Sequence, residues 1–425
     1  MIEHEKSMFG LARELWPINR SLSGTGVRES LAVISKKLPT LRVKKFETGS
    51  KKFDWEVPDE WNVSEAYIIA PNGQKICDYS ENNLHLVGYS EPVEGAFTLE
   101  ELQKYLYSLP DQPSAIPYVT SYYKRTWGFC ITENERAELK DGNYTVVIRS
   151  EFTKRGLDYG ELVIPGTSSR EIFFSTYLCH PSMANNELSG PVLATELATM
   201  LQGQENYYTY RFIFIPETIG SISYMAENLE QMKNEMLAGF VLTCVGDERA
   251  FSYLPSRKGK TVADQVALQA LEELEIEAIH YDWKDRGSDE RQYCSPGADL
   301  PVCSVMRSKY GEYPEYHTSL DTLGAVVTEA GLKGSFDVYA RIIGILEGQR
   351  YPRMELVGEP QLGKRGLYPN TSIKGAYSDV SGFMDLLSTL DGTVEVADAA
   401  RSANLDPATA DSFLKRLEQE GLVRY

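Results

Sequence analysis

The chain reads as an α/β protein with a mostly parallel sheet and helices on both of its faces. Three observations point there. Strand-length apolar runs recur at 172–178, 210–216, 239–245 and 301–306. Stretches with helical spacing separate them, at 190–201, 219–236 and 262–274, and a longer one at 325–347 closes the series. The runs are apolar on both faces, as strands are when helices bury them from either side.

At 425 residues the chain exceeds one simple core, so two or three domains are expected. Residues 5–38 carry helical periodicity, broken at Ser21-Leu22-Ser23-Gly24, and 41–49 alternates like a strand. From about 54 to 151 the texture changes. Short strand-like runs (AYIIA, KICDY, LHLVGY, YTVVIRSEF) alternate with Pro, Gly and Asn turns, with one helix expected at 98–107. The segment reads as a β-rich insertion. Residues 1–53 and 152–350 then form the α/β domain, and 351–375 is a linker. Residues 376–425, three short helices and a strand-like GLVRY, resemble a winged-helix domain.

Charge argues against the usual task of such a domain, DNA reading, and favours protein contact or structural capping. Residues 376–425 hold nine acids and four bases, and a helix carrying Asp411, Glu418 and Glu420 would be repelled by phosphates. The whole chain has a formal net charge of −18, which also argues against nucleic acid or an anionic membrane surface as partner. No apolar run reaches membrane-spanning length, and the first residues lack a basic region followed by an apolar stretch. Six scattered cysteines without CxxC spacing read as reduced and mostly buried, and the expected location is cytoplasmic. The insertion or the winged helix could serve as a homo-oligomer face.

Polar residues are concentrated where the apolar runs stop, which in an open α/β sheet is where ligands bind. The first run delivers His180, then Asn185, Asn186 and Glu187, with Ser189 as the expected N-cap of the next helix. The second delivers Glu217, the third Asp247, and the fourth is followed by Tyr316 and His317, with Asp321 beyond. His180, Glu217, Asp247 and His317 can therefore converge. Two imidazoles with carboxylates suit zinc, and a free carboxylate suits a general base. Each also has a plainer reading: a hydrogen-bonded structural histidine, a carboxylate at a helix start, an aspartate closing a turn. Arg286, Asp289 and Arg291 could orient a small polar substrate beside Tyr316 or form a surface ion-pair cluster.

CHPSMANNELSGPVLATELA resembles the first metal segment of the M28-type co-catalytic zinc aminopeptidases, a strand followed by H-x-D, G-A-x-D-N-x-S-G and a helix. PETIGS is similar to their E-E-x-G-x-x-G-S segment, GSDERQY with GADLP to their S-D-H-x-x-F and G-I-P pieces, and YHTSLDT to their H-T-x-x-D-T segment. The pieces occur in family order across about 160–345. The whole chain is similar to a bacterial family of uncharacterised aminopeptidase-like proteins with a carboxy-terminal winged helix, sometimes named with polysaccharide biosynthesis. The resemblance implies the zinc-exopeptidase fold and an amide- or peptide-bond hydrolase acting on a small peptide-like substrate. The chain departs from the pattern. Ser182 and Asn186 stand where the family has aspartates, Pro216-Glu217 replaces the Glu-Glu pair, and Thr243 takes the place of a third Asp. A neutral Asn removes the charge that holds two dications together. The expectation is therefore one zinc on His180 and His317, completed by Asp247 or Glu187, with Glu217 as water-activating base and Asn186 near the substrate. The alternative is a non-catalytic binding or assembly protein on a degenerate peptidase fold.

Overall fold

A computed structural model describes residues 2–366 and 378–425. The rest of the stretch read as a linker, 367–375, and the first two residues of the segment after it lie outside the described residues.

In chain order the strands used below are β1 (Arg42–Phe46), β2 (Glu60–Ile69), β3 (Lys75–Ile76), β4 (Val93–Thr98), β5 (Asn143–Thr153), β6 (Leu157–Ile164), β7 (Glu171–Tyr177), β8 (Thr209–Ile215), β9 (Met236–Val241), β10 (Phe251–Leu254), β11 (Ala278–His280), β12 (Val302–Met306), β13 (Arg353–Met354) and β14 (Val423–Arg424). The helices are α1 (Ile2–Leu15), α2 (Thr25–Lys37), α3 (Ser189–Gln202), α4 (Ile219–Glu235), α5 (Val262–Glu273), α6 (Glu329–Gly348), α7 (Ser378–Ser388), α8 (Val396–Ser402) and α9 (Pro407–Gln419).

Eight strands form the central sheet in the order β1-β6-β8-β7-β9-β12-β10-β11. Its middle, β8-β7-β9-β12, is parallel, while β1, β6 and β10 pair antiparallel with their inner neighbours. Every residue of β7 is buried, and its side chains alternate between two cores. Ile172 and Phe174 pack with α1, α3, α5 and α6, whereas Phe173 and Tyr177 pack with α4 and the insertion. Continuous apolarity thus reflects cover on both faces.

The run at 239–245 is shorter as a strand than its composition suggests. Strand β9 stops at Val241, because Thr176 Oγ1 donates to Leu242 O at 2.9 Å and Thr243 Oγ1 to Asn186 O at 2.9 Å, turning the chain into the site. Ser189 is not a cap either. A π-helical turn, Ala184–Leu188, runs directly into α3, so Ser189 lies inside a continuous helical segment and its Oγ donates to Asn185 O at 2.6 Å. Such turns inside helices mark functional sites more often than chance. Gly190 is dictated by space, since a Cβ there would sit 2.3 Å from Leu242 O and 2.4 Å from Thr176 Oγ1.

The insertion is built on an antiparallel sheet in the order β3-β2-β5-β4. LHLVGY is not a strand. Asn82 caps a short 3-10 turn at Asn83–His85, and the chain then passes through Tyr89 at a φ of 65°. The helix expected at 98–107 shortens to Leu99–Leu102 with a 3-10 turn behind it.

At the carboxy terminus α7, α8 and α9 pack around Leu386, Ala399, Leu414 and Leu417. Strand β13 pairs antiparallel with β14, so chain from before the helices completes the wing. Arg170, at the edge of the central sheet, donates to Tyr351 O and Gly392 O at 3.2 Å each, and Ser168 Oγ donates to Tyr425 O at 2.9 Å. No described helix is long and apolar enough to cross a membrane.

Candidate functional site

The carboxyl ends of β7, β8 and β9 and the loop after β12 meet at one edge of the sheet. Four non-glycine residues there have left-handed backbone: Ser182 (φ 23°), Thr218 (63°), Cys244 (51°) and His317 (55°). For Thr218, branched at Cβ, this is a costly conformation. Strain of this kind collects at functional sites and persists only where the surroundings enforce it.

His180 follows β7 and is 4% exposed. Its backbone N–H donates to Glu187 Oε1 at 3.1 Å, and its Nε2 lies 3.6 Å from Glu217 Oε2. The His317 ring is 5.7 Å away between centroids, and its Nε2 faces Asn186 Oδ1 at 3.2 Å. Tyr316 stacks on His317 with centroids 3.9 Å apart. Burial keeps both imidazoles neutral. It depresses His180 well below the usual histidine range, with help from His317 and Arg20, and His317 to about 4.

Glu217 enters from the end of β8. Its side chain is 23% exposed, and Ser288 Oγ donates to its Oε1 at 3.1 Å. Burial, reinforced by the charge of Asp289, pushes this carboxyl up to about 8, so it holds its proton at neutral pH. Asp289 Oδ1 accepts from Thr218 N and Ser221 Oγ at 2.8 Å each and so fixes the strained turn after Glu217. Arg291 donates to Thr218 Oγ1 at 2.9 Å.

Of the residues singled out from the sequence, the structure brings together His180, Asn186, Glu217, Asp289, Arg291, Tyr316 and His317. Four have other commitments. Glu187 is paired with Arg20, Nε to Oε1 at 3.0 Å, both side chains fully closed to solvent. Asp247 is saturated, accepting from Asn185 Nδ2, Arg249 N, Ser308 N and Ser308 Oγ at 2.8–2.9 Å. Arg286 is exposed and lies over the Trp283 ring at 5.0 Å. Asp321 is likewise engaged, with Asn185 N, Asn186 N and Tyr313 Oη.

For zinc, then, the site offers two imidazoles and one carboxyl, that of Glu217. Among the described residues no three His, Cys, Asp or Glu side chains are grouped to hold a metal ion. Asn186 is neutral, and its Nδ2 donates to Tyr177 Oη at 2.9 Å. The donor set supplies neither the carboxylate that bridges two dications nor the third ligand of a single catalytic zinc beside a free base.

Sequence reasoning missed the roof of the site. Residues 112–122 of the insertion lie across it. Ile116 O accepts from Ser319 N and His317 O from Tyr118 N, each at 2.9 Å. The Tyr118 ring sits 5.1 Å from both imidazole rings, and its hydroxyl pairs with that of Tyr122 at 2.7 Å. Nothing local in the sequence ties Tyr118 to a histidine about two hundred residues on. Arg20 was also missed, hidden in a stretch legible only as a helix break.

Residues 9–349 match the family described as domain of unknown function DUF4910, and residues 349–425 match a winged helix-turn-helix family. A Clostridium acetobutylicum protein, whose name couples polysaccharide biosynthesis with an aminopeptidase-like domain, is 44% identical over 85% of this chain and 82% of its own. A crystal structure from the same organism, described as that of a peptidase, superposes with a TM-score of 0.81 at 39% identity, covering 99% of this chain and 96% of that one. A zinc aminopeptidase from Bacillus subtilis (TM-score 0.59, 14% identity, 80% and 95% coverage) and an M28 peptidase precursor from Shewanella amazonensis (0.57, 13%, 84% and 95%) share the fold. The chain belongs to the DUF4910 family, an aminopeptidase-like fold followed by a winged helix-turn-helix.

Proposed function

We propose that this chain binds a small amide-bearing ligand at His180, Glu217 and His317 and recognises it without metal-assisted hydrolysis. One observation carries the reading. Two neutral imidazoles face a protonated carboxyl, 3.6 Å from one of them, while Glu187, Asp247 and Asp321 are held by other partners. A protonated Glu217 donates a hydrogen bond to a carbonyl, and a neutral ring nitrogen accepts one from an amide N–H. The pair complements one amide group. Tyr118 and Tyr316 pack against the imidazoles and reduce their contact with water, which strengthens both bonds. In this reading residues 54–151 form the insertion that roofs the site, and 376–425 dock as a structural module.

The second reading, an amide hydrolase, is favoured by Glu217 itself. A carboxyl that titrates near neutrality is poised to move protons. When bound, zinc would polarise the scissile carbonyl and acidify water. One experiment separates the two. The full-length protein is incubated with leucine p-nitroanilide with and without zinc, and its binding of N-acetyl-leucine amide is titrated in parallel. Binding that Glu217→Ala removes, with no turnover above the blank, is the expected result. Zinc-dependent turnover abolished by His317→Ala would establish the hydrolase and sink the binding-only reading.

A further inference from the structure

The roof leaves the site open on the side of Glu217, whose side chain is 23% exposed, and of Tyr316 and His317, both half-buried. Arg291 stands on that side. It lies on the short helix Glu290–Tyr293 and is exposed, and its Nη2 donates to Thr218 Oγ1 at 2.9 Å. That bond ties the guanidinium to the residue next to Glu217. Burial raises the carboxyl of Glu217 and the hydroxyls of Tyr123 and Tyr316, and the charge of Arg291 opposes the rise in all three, so the cation is near each of them. Tyr123, 69% exposed, adds aromatic surface there, with Trp55 edge-on to it at 5.5 Å.

The cation is unmatched. Among the described residues Arg291 forms no ion pair, and its hydrogen-bond partner, the Thr218 hydroxyl, is neutral. The two carboxylates before it in the chain are fully buried and bonded into the fold. Asp289 accepts from Thr218 N and Ser221 Oγ, and Glu290 from Gly287 N, Ser288 N and Tyr310 Oη. Glu315, next to Tyr316, is taken by Arg249 at 2.8 Å. A guanidinium held by a single hydrogen bond keeps most of its planar donor fork for a carboxylate, which it can take through two parallel bonds. In a chain of net charge −18, such a cation at the mouth of a site runs against the overall charge and draws an anionic group to it.

We infer that Arg291 is a specificity-determining residue of this site and selects amide ligands that also carry a carboxylate, such as N-acyl amino acids. The amide group is held by His180, Glu217 and His317, and the carboxylate by Arg291. The first contact rests on the amide reading above; the second rests on Arg291 and its surroundings. A ligand with a free amine in that place would instead meet Arg291 as a like charge.

The test titrates the full-length protein by calorimetry with N-acetyl-leucine and with N-acetyl-leucine amide, two probes that differ by one charge. N-acetyl-leucine is expected to bind about three- to ten-fold more tightly at low salt, the range for an ion pair at a partly open site. Added salt should shrink that ratio. Arg291→Gln should bring the two probes to equal affinity, and Arg291→Lys should keep part of the ratio, since a point charge replaces the fork. A purely structural role, through Thr218, would weaken both probes alike and leave the ratio standing, which would overturn the assignment. Equal affinity of the wild type for both probes would also overturn it, and if Glu217→Ala then removed both, the amide reading would stand alone. A ratio that vanishes in Arg291→Gln but survives with undiminished affinity in Glu217→Ala would sink the amide reading and keep the carboxylate contact. Binding of neither probe would remove both.

Discussion

Arg20 Nε lies 3.0 Å from one oxygen of Glu187 and 3.1 Å from the other, in a pair closed to solvent on both sides. The same guanidinium donates through Nη1 to Leu15 O at 2.8 Å, and Glu187 Oε1 also receives the backbone N–H of His180. The pair thus locks the end of α1 to the π-helical turn and sets the position of His180. Breaking such a pair strands a buried charge and costs about 3–5 kcal/mol, whereas replacing both partners with apolar groups of similar volume is often neutral. Arg20→Met should therefore lower the urea midpoint sharply, and Arg20→Met/Glu187→Met should recover most of the loss. A single variant within about 0.5 kcal/mol of wild type would show that the pair does not carry this load.

Zinc affinity follows from the same commitments. With Glu187 and Asp247 bound elsewhere, the protein dialysed against micromolar zinc should retain well under one ion per chain by elemental analysis. Asn186→Asp places a carboxylate where Asn186 Oδ1 now faces His317 Nε2 at 3.2 Å, and should raise retention. One zinc per wild-type chain, lost in His317→Ala, would contradict this account.

The fold was legible because its signals are local and redundant. In β7, continuous apolarity says that both faces are covered, and the break at Cys179-His180-Pro181 says where the strand ends. Within the site, the grouping of His180 and Glu217 follows from their place at the ends of neighbouring parallel strands, whereas His317 joins them from the loop after β12. Glu187 shows the limit. Its spacing suits a ligand, yet its partner is set by Arg20, 167 residues away, and no local pattern encodes that pairing. Asp247 fails for a related reason, since the Ser308 amide and hydroxyl that satisfy it belong to a distant loop. Tyr118 reaches the site through the tertiary fold of the insertion, which the run of short strands does not specify.

Stability against pH should carry the mark of Glu217. Its carboxyl loses a proton near 4.5 when exposed and near 8 in the fold, so between those values the folded state binds more protons. Stability from this group is complete below the lower value and is lost as pH rises through the upper one. His317, held near 4 against 6.5, acts in the opposite direction between those two values, as does His180. Asp289 and Asp321, each raised to about 6 by burial, are mostly ionised by pH 7. The two unfolded histidines, still half protonated at pH 6.5, offset Glu217 there, so Glu217 dominates this cluster only from about pH 7 to 8, with a slope of at most about 1.4 kcal/mol per pH unit. Thermal unfolding midpoints should fall across that window in wild type and flatten in Glu217→Gln. An equal slope in both proteins would show that Glu217 is not held protonated.

The winged helix should not bind duplex DNA. Over residues 349–425, which match the winged-helix family, eleven acids face nine bases, and between 376 and 425 nine acids face four bases, each of those four with a partner in the structure. Lys415 pairs with Asp411 at 2.7 Å, Arg401 with Asp398, and Arg424 with Glu235 at 3.3 Å, while Arg416 donates to Arg365 O at 2.9 Å. Helix α9, the third of the motif and the one such folds place in the major groove, carries Asp411 and Glu418, with Glu420 just beyond its end. Binding driven by phosphate contacts needs free cations and weakens steeply with salt. Fluorescence anisotropy with a labelled 30-base-pair duplex should show no binding at micromolar protein and about 50 mM salt, where non-specific contacts are strongest. Glu418→Lys/Glu420→Lys should introduce weak, salt-sensitive binding without altering ligand binding at Glu217. Wild-type binding that falls steeply with salt would return the domain to DNA recognition and overturn the assignment to structural docking.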